Sequence, residues 1–302
     1  MRIVIAGGTG FLGRPLSEAL QRDGHAVTLL SRGATRATGV TTVPWTPDGR
    51  VGSWAACLDG ADALVNLAGA PIAGGRWTPA RKALIASSRL QATASLAAAI
   101  AEAVHPPSVF VQGSGVGYYG HCGDEVITEA APAGHDFLGT LCVQWEAAAL
   151  GAATRTTRVV CVRTGLVIEH DGGALAQMLL PFRLGVGGPL GSGRQYWPWI
   201  HRQDWVNLVR HALADASLHG PVNATAPTPV TNAAFSRALG HALHRPAVLP
   251  TPAFALRWLL GEMADALLLS GQRAVPAAAQ AAGFTFRYAT LEQALDAILG
   301  GR

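Results

Sequence analysis

The sequence reads as an α/β protein, a doubly wound parallel sheet with a smaller C-terminal α/β lobe on the substrate side. Two observations carry that expectation. Residues 3–6 (IVIA) are an apolar run, residues 7–13 (GGTGFLG) a glycine turn, residues 11–22 a helical stretch, and residues 26–30 (AVTLL) a second apolar run. Strand, turn, helix and strand within ~30 residues make a βαβ unit, which is right-handed and parallel in nearly all cases. The alternation then continues along the chain, the pattern of a parallel sheet covered on both faces.

Taken in order, Gly24 closes the first helix and residues 41–45 form a short strand. Residues 61–67 (ADALVNL) form a firmer strand that runs into Ala68 and Gly69. Residues 78–104, rich in alanine, form a long helix with Arg89, Gln91 and Glu102 on its polar side. A strand at 108–111, a helix at 141–153 and a strand at 158–162 (RVVCV) follow. Beyond Gly165 the texture changes. Residues 185–199 (GVGGPLGSGRQYWPW) are too long for a simple connection and make a candidate binding loop. A helix at 204–213, a proline-punctuated boundary at 246–252 and apolar helical material at 254–270 come next. Residues 283–286 read as a short strand, and Thr290 to Gln293 as a capping box that opens the last helix. The division expected is a dinucleotide-binding domain at 1–220, with a loop lobe at about 166–202, and a small C-terminal domain at 246–302.

Composition narrows the function classes. The chain has 302 residues, 49% of them hydrophobic and 14% charged, which excludes general disorder. A formal charge of +4 comes from scattered arginines with no run of like charge, so no nucleic-acid partner is expected. Four cysteines form no C-x-x-C pair, and no metal site is expected; reduced thiols fit a cytoplasmic protein. The N-terminal apolar run is too short for a signal peptide. The best membrane candidate, 256–269, is interrupted by Arg257, Gly261, Glu262 and Asp265, so no membrane partner is expected and the protein should be soluble, as a monomer or homodimer. Of 23 basic residues one alone, Lys82, is a lysine.

The glycines at 7, 10 and 13 follow a strand and open a helix, which is where bare backbone must approach a pyrophosphate at the positive helix end. This is the Rossmann-type arrangement, and it predicts a dinucleotide. Discrimination falls at the end of the second strand, where NAD enzymes place an acid and NADP enzymes an arginine. Here stand Leu30, Ser31 and Arg32, with Arg36 nearby and no acid. The cofactor expected is NADP(H).

GGTGFLG at 7–13, NLAG at Asn66–Gly69, GSGVGYYG at 113–120 and RTGLV at 163–167 together resemble the extended short-chain dehydrogenase/reductases. Trp145-Glu146 and the stretch from Pro189 to His201 resemble more narrowly an atypical "epimerase family" branch, which carries a small C-terminal domain of unknown function. The resemblance spans essentially the whole chain. It implies that Gly7, Gly10 and Gly13, with Thr9, Phe11 and Leu12 between them, cradle the pyrophosphate. It also implies that Ser31 and Arg32 hold the adenosine phosphate, that Leu67, Ala68 and Gly69 line the cofactor, and that Gly113 and Arg163 belong to the same site.

The chain departs from that family in its chemistry. There a tyrosine and a lysine four residues later perform proton transfer. Tyr118, Tyr119, Tyr196 and Tyr288 are followed four places on by Cys122, Gly123, Ile200 and Glu292. Counting back from Glu146 puts Leu138 and Cys142 where the pair would stand. Replacement candidates are Ser114, with Gly115 competing for its position, Tyr118 and Tyr119. Glu125, Glu129, Asp136 and His201 are further acid–base candidates, while Trp199 and His201 are candidate substrate contacts. Three functions remain open: an NADP(H)-dependent oxidoreductase on a small organic or nucleotide-sugar-like substrate, a cofactor-retaining sugar-nucleotide epimerase or dehydratase, and a non-catalytic NADPH-binding sensor or scaffold.

Overall fold

β1 (Arg2–Ala6) is an apolar strand whose neighbours on both sides are apolar, so it lies at the centre of the molecule. In the computed structural model, which describes residues 1–33 and 40–300, it pairs in parallel with β2 (Ala26–Ser31) and with β4 (Ala63–Asn66). The full sheet has seven parallel strands. From edge to edge they are β3 (Thr41–Pro44), β2, β1, β4, β5 (Val109–Gly115), β7 (Arg158–Thr164) and β11 (Gly220–Ala224). The two-residue β6 (Val126–Ile127) lies outside it. The strand order reverses between β1 and β4, which opens a crevice at their carboxyl ends. Arg36 lies outside the described residues.

Helices cover both faces. On one, α1 (Gly13–Arg22) buries Leu16, Ala19 and Leu20 against Ile3, Ile5 and Leu29. On the other, α2 (Pro79–Glu102) and α3 (Phe137–Leu150) pack over Val4, Leu64 and Phe110. Pro79 at the first turn and Thr78, whose hydroxyl accepts from the Arg81 amide, explain where α2 begins. α2 is long and apolar enough to cross a membrane by length and composition, but Ile85, Ala92, Leu96 and Ile100 bury it in this protein's own cores.

The second half winds back onto the sheet. β8 (Leu166–Glu169) pairs with β10 (Trp199–His201), with α4 (Gly173–Arg183) and the short β9 (Tyr196–Trp197) between them. α5 (Arg202–Ala214) then lies against the main sheet through Trp205, Val206 and Val209, and leads into β11. β12 (Val230–Thr231) pairs with β9 and starts α6 (Asn232–Ala242).

The apolar stretch expected as one helix at 254–270 is broken. Gly261, at φ +64°, ends α7 (Ala253–Leu260), and α8 (Glu262–Ala264) with a wider turn at Asp265–Leu269 follows. β13 (Arg273–Ala274) pairs with β6, and α9 (Ala277–Ala281) buries Ala279 in the main core. The strand expected at 283–286 is not formed. Phe284 and Phe286 pack edge-to-face at 4.9 Å beside the main core. The following amides of Arg287 and Tyr288 are held by the Asp204 carboxylate at 3.0 and 2.9 Å, so no strand partner is required. The capping box is formed: Thr290 accepts from Gln293 at the start of α10 (Leu291–Leu299). α10 shares its core with α4 and α6 through Leu295, Leu175 and Phe235.

Candidate functional site

The glycine turn has the shape of a phosphate cradle. Gly7 sits at φ +80°, and a Cβ there would stand 2.7 Å from the Leu67 carbonyl carbon, so neither its conformation nor its space admits a side chain. A Cβ at Gly13 would meet the Gly7 oxygen at 2.2 Å, which is how α1 comes to start so close to the sheet. Gly10 differs: its nearest such neighbour is 3.4 Å away, and it is exposed with Thr9 at the tip of the turn. α1 has no side-chain cap and no acid in its first turn, so its positive end faces the turn uncompensated by a side chain, with the Arg14 amide donating to the Gly10 oxygen at 3.0 Å. A pyrophosphate fits these residues. Leu67, Ala68 and Gly69 flank the turn across the crevice, with the Leu67 amide donating to the Ala6 oxygen at 2.8 Å.

The end of β2 carries no carboxylate. Ser31 donates its hydroxyl proton to the Gly33 oxygen at 3.0 Å, forming a tight turn that leaves Arg32 exposed beside the crevice. Phe11 packs against Gly172 and Gly173, with the Arg202 guanidinium 5.1 Å from its ring. Gly113 lies within β5, where a Cβ would approach the Asn66 oxygen to 3.0 Å; it lets two strands pack and is buried.

Behind the crevice lies a closed polar network. Ser114 donates to Glu146 Oε1 at 2.7 Å, and Arg163 grips the same carboxylate with Nε at 2.9 Å and Nη2 at 2.8 Å. Arg163 Nη1 donates to the Tyr119 hydroxyl at 3.0 Å and to the Glu129 carbonyl at 3.2 Å, while Tyr119 donates onward to Asn223 Oδ1 at 2.7 Å. The Glu129 carboxylate accepts from the amides of Asn223 and Ala278 at 2.9 and 3.2 Å, tying C-terminal chain to the cluster. Burial pushes the Tyr119 phenol up to about 12, although Arg163 opposes the shift. The Glu146 carboxylate raises the pKa of the Arg163 guanidinium against its own desolvation. Tyr118 stands apart: it is half-buried, its ring lies 3.4 Å from the Arg163 guanidinium carbon, and its hydroxyl has no hydrogen bond among the described residues.

The structure thus brings Ser114, Tyr118, Tyr119 and Arg163 together and leaves Trp199 and His201 elsewhere. Trp199 is fully buried in the core shared by α4, α6 and α10, with its indole N–H donating to the Thr228 oxygen at 3.0 Å. His201 caps α5 by accepting from the Gln203 amide at 2.9 Å and stacks on Tyr288 at 4.0 Å. Burial lowers its imidazole to about 4, so it is neutral at pH 7. Glu125 is exposed, and Asp136 caps α3 by accepting from the Gly139 amide at 2.7 Å.

Leu138 and Cys142, expected at the places of the usual pair, are both buried. Leu138 joins an apolar cluster with Trp77, Ile85 and Met263, and burial pushes the Cys142 thiol up to about 11. Neither can exchange a proton with a substrate. Residues the sequence reading passed over include Glu146 as the centre of the network, Asn223 as the Tyr119 acceptor, and Arg89. Expected on the polar side of α2, Arg89 is instead buried, whereas Gln91 and Glu102 are exposed as expected. Only the Trp145-Glu146 pair gave a sequence signal.

A parallel sheet reversing at β1 and β4, with a glycine cradle at the reversal, defines an extended short-chain dehydrogenase/reductase fold. The chain belongs to the NAD-dependent epimerase/dehydratase family, whose profile matches residues 3–224; a domain of unknown function matches residues 251–298. It is 42% identical over 303 residues to the cattle epimerase family protein SDR39U1, covering 99% of this chain and 100% of that one. It is 41% identical to the chloroplastic Arabidopsis homologue, covering 99% of this chain and 87% of that one. The crystal structure of human SDR39U1 (isoform 2) with NADPH superposes with a TM-score of 0.92 at 39% identity, over 100% of both chains. A nucleoside-diphosphate sugar epimerase from Corynebacterium glutamicum superposes with a TM-score of 0.81 at 32% identity, over 100% of this chain and 59% of that one.

Proposed function

We propose that the chain binds NADP(H) across the carboxyl ends of β2, β1, β4 and β5 and acts as an oxidoreductase on a small organic substrate. Tyr118 would supply the proton that the missing Tyr–Lys pair gives elsewhere in the family. The cofactor assignment is supported by the side-chain-free cradle, by Arg32 in place of an acid, and by the NADPH in the human relative's structure. Gly7, Gly10 and Gly13, with the amides at the start of α1, would hold the pyrophosphate. Thr9, Phe11 and Leu12 would shape the turn, and Ser31 and Arg32 would meet the 2′-phosphate. Leu67, Ala68 and Gly69 would line the far half, with Gly113 and Arg163 behind them. A nicotinamide bound there supplies hydride chemistry.

The observation that carries the reaction is the commitment of hydroxyl protons. Ser114 has one proton and gives it to Glu146; Tyr119 has one and gives it to Asn223. Both therefore serve as fixed struts rather than donors to a substrate. Tyr118 alone of the three keeps its proton, with its ring held on Arg163. A second reading, a sugar-nucleotide epimerase, draws on the Corynebacterium neighbour. The test is NADPH oxidation against a panel of aldehydes and ketones, with Tyr118→Phe as the variant. Loss of general-acid catalysis lowers kcat at least about 100-fold, with NADPH affinity within twofold of wild type. Full activity in Tyr118→Phe refutes the assignment. Stoichiometric nucleotide retained through purification, with no exchange or turnover, favours the epimerase.

A further inference from the structure

An apolar surface of the second half of the chain is left open by the described residues. Trp258 is 80% exposed, whereas the other seven tryptophans are buried at 8% or less. Phe254, one turn back on α7, is 74% exposed, and Val248, Leu249 and Leu259 beside them stand open as well. Leu180, Leu184 and Val186 are exposed on the last turn of α4 and just past it. These residues come from two stretches of chain that run side by side. The Gly191 amide donates to the Thr251 oxygen and the Thr251 amide to the Pro189 oxygen, both at 2.8 Å, and Arg245 Nε donates to the Arg183 oxygen at 3.1 Å. Eight of the fourteen large hydrophobic residues exposed among the described residues therefore gather in one region. Gathered exposure of that kind marks a site of contact, where scattered exposure does not.

The charge around it has one sign. Residues 172–203 and 216–261 hold six arginines and no aspartate or glutamate. Arg202 and Arg257 are paired with carboxylates from outside those stretches. Arg183 and Arg245, next to Leu184 and Pro246, are exposed with no carboxylate partner among the described residues. A guanidinium presents a planar fork that matches phosphate oxygens. A second copy would set this face against itself in a symmetric dimer, arginine towards arginine, with no acid to pair them. A protein partner would need pockets shaped for Trp258 and Phe254, which project instead of lining a groove. A bilayer with anionic headgroups takes projecting apolar side chains without any pocket and pairs the arginines at the same time.

We propose that this face docks on an anionic phospholipid surface, with Phe254, Trp258 and Leu259 entering the boundary between headgroups and acyl chains and Arg183 and Arg245 meeting lipid phosphates. Amphipathic helices lie in that plane through Trp, Phe and Leu on one side and arginine on the other. Tryptophan suits that depth because its ring is apolar and its N–H polar. Arg257, Gly261 and Glu262, which keep 256–269 from spanning a bilayer, do not keep α7 from lying on one.

The test is flotation of the full-length protein with vesicles of phosphatidylcholine, alone or mixed with phosphatidylglycerol. Wild type floats with the mixed vesicles and binds phosphatidylcholine alone at least about tenfold more weakly, since each basic residue near an anionic surface contributes about fivefold. Arg183→Gln/Arg245→Gln loses most of that preference. Phe254→Ser/Trp258→Ser lowers binding to mixed vesicles at least about tenfold, the worth of burying one large apolar side chain. All four side chains are exposed, so both variants keep the wild-type melting temperature. Wild type gives a second reading: lipids brominated on their acyl chains quench the fluorescence of Trp258, the one exposed indole, and Trp258→Phe abolishes the quenching. Wild type that stays below the mixed vesicles, equal flotation with both lipids, or undiminished binding by Phe254→Ser/Trp258→Ser overturns the proposal. So does a dimer in light scattering that Phe254→Ser/Trp258→Ser dissolves and mixed vesicles leave intact, which makes the face an interface between copies.

Discussion

Replacing Glu146 with glutamine keeps the shape of the side chain and removes its charge. The Arg163 guanidinium, with a side chain 3% exposed, then faces an amide across contacts that were 2.8 and 2.9 Å. Ser114 also loses a charged acceptor. Stripping the partner from a buried ion costs about 3–5 kcal/mol, because water cannot compensate, and that loss is the expected outcome. The assay is urea unfolding followed by tryptophan fluorescence, with the midpoint falling and the slope unchanged. The double variant Glu146→Gln/Arg163→Met removes both charges. It recovers at least about 2 kcal/mol, because a buried pair replaced by neutral groups is often close to neutral. A loss below about 1 kcal/mol in the single variant, or a double variant as unstable as the summed singles, would refute the view of this network as a buried electrostatic strut.

Arg32→Asp lowers NADPH affinity at least about tenfold while NADH affinity holds or improves, because a carboxylate repels the 2′-phosphate and accepts from a 2′-hydroxyl; equal losses in fluorescence titrations with the two cofactors count against it. Gly13→Ala forces a methyl to 2.2 Å from the Gly7 oxygen, and should cost about 1–3 kcal/mol by overpacking together with a clear loss of NADPH binding; unchanged melting and titration refute the close-packing role. His201 is lowered by burial to about 4 from an unfolded value of 6.5, so the unfolded chain takes up the proton first. Its stabilisation is complete above pH ~6.5 and is lost as pH falls towards about 4, amounting to about 2 kcal/mol at pH 5. Urea unfolding at pH 7.5 and 5.0 measures it, and His201→Asn, which keeps a capping oxygen, removes that component of the acid loss.

The local parts of the fold were legible because local physics decides them. Apolar runs and glycine spacing marked β1, α1 and β2, Pro79 and Thr78 set the start of α2, and Thr290 with Gln293 set the start of α10. The tight turn at Gly7, Gly10 and Gly13 was legible for the same reason, since it is made of near neighbours in the chain. The polar network was not, because Ser114, Glu146, Arg163 and Asn223 meet only after four separate elements have packed. Arg89 was misjudged because α2 is rich in alanine, and an arginine in such a helix looks solvated until Trp145 and the loop at Gly69 pack against it. The stretch at 283–286 alternates like a strand, but alternation records only which residues are buried; here the Gly283 and Phe284 amides donate back to α9, and the Asp204 carboxylate takes the amides of Arg287 and Tyr288 just beyond.

The C-terminal segment contributes Met263, Ala274, Ala279 and Leu295 to four different apolar clusters, and Ala278 binds Glu129 at the base of the site. On the ribosome, therefore, the sheet can assemble as far as β11 while those clusters are still short of their last members. Contacts of such sequence separation are slow to form, since a long loop must close before they stabilise anything. The nascent chain carries unfinished apolar surface until the segment from Met263 to Leu299 emerges, an interval of seconds at ~5–20 residues per second. A frameshift or nonsense mutation in that stretch would produce chain for quality control to remove, with the seven-stranded sheet already translated.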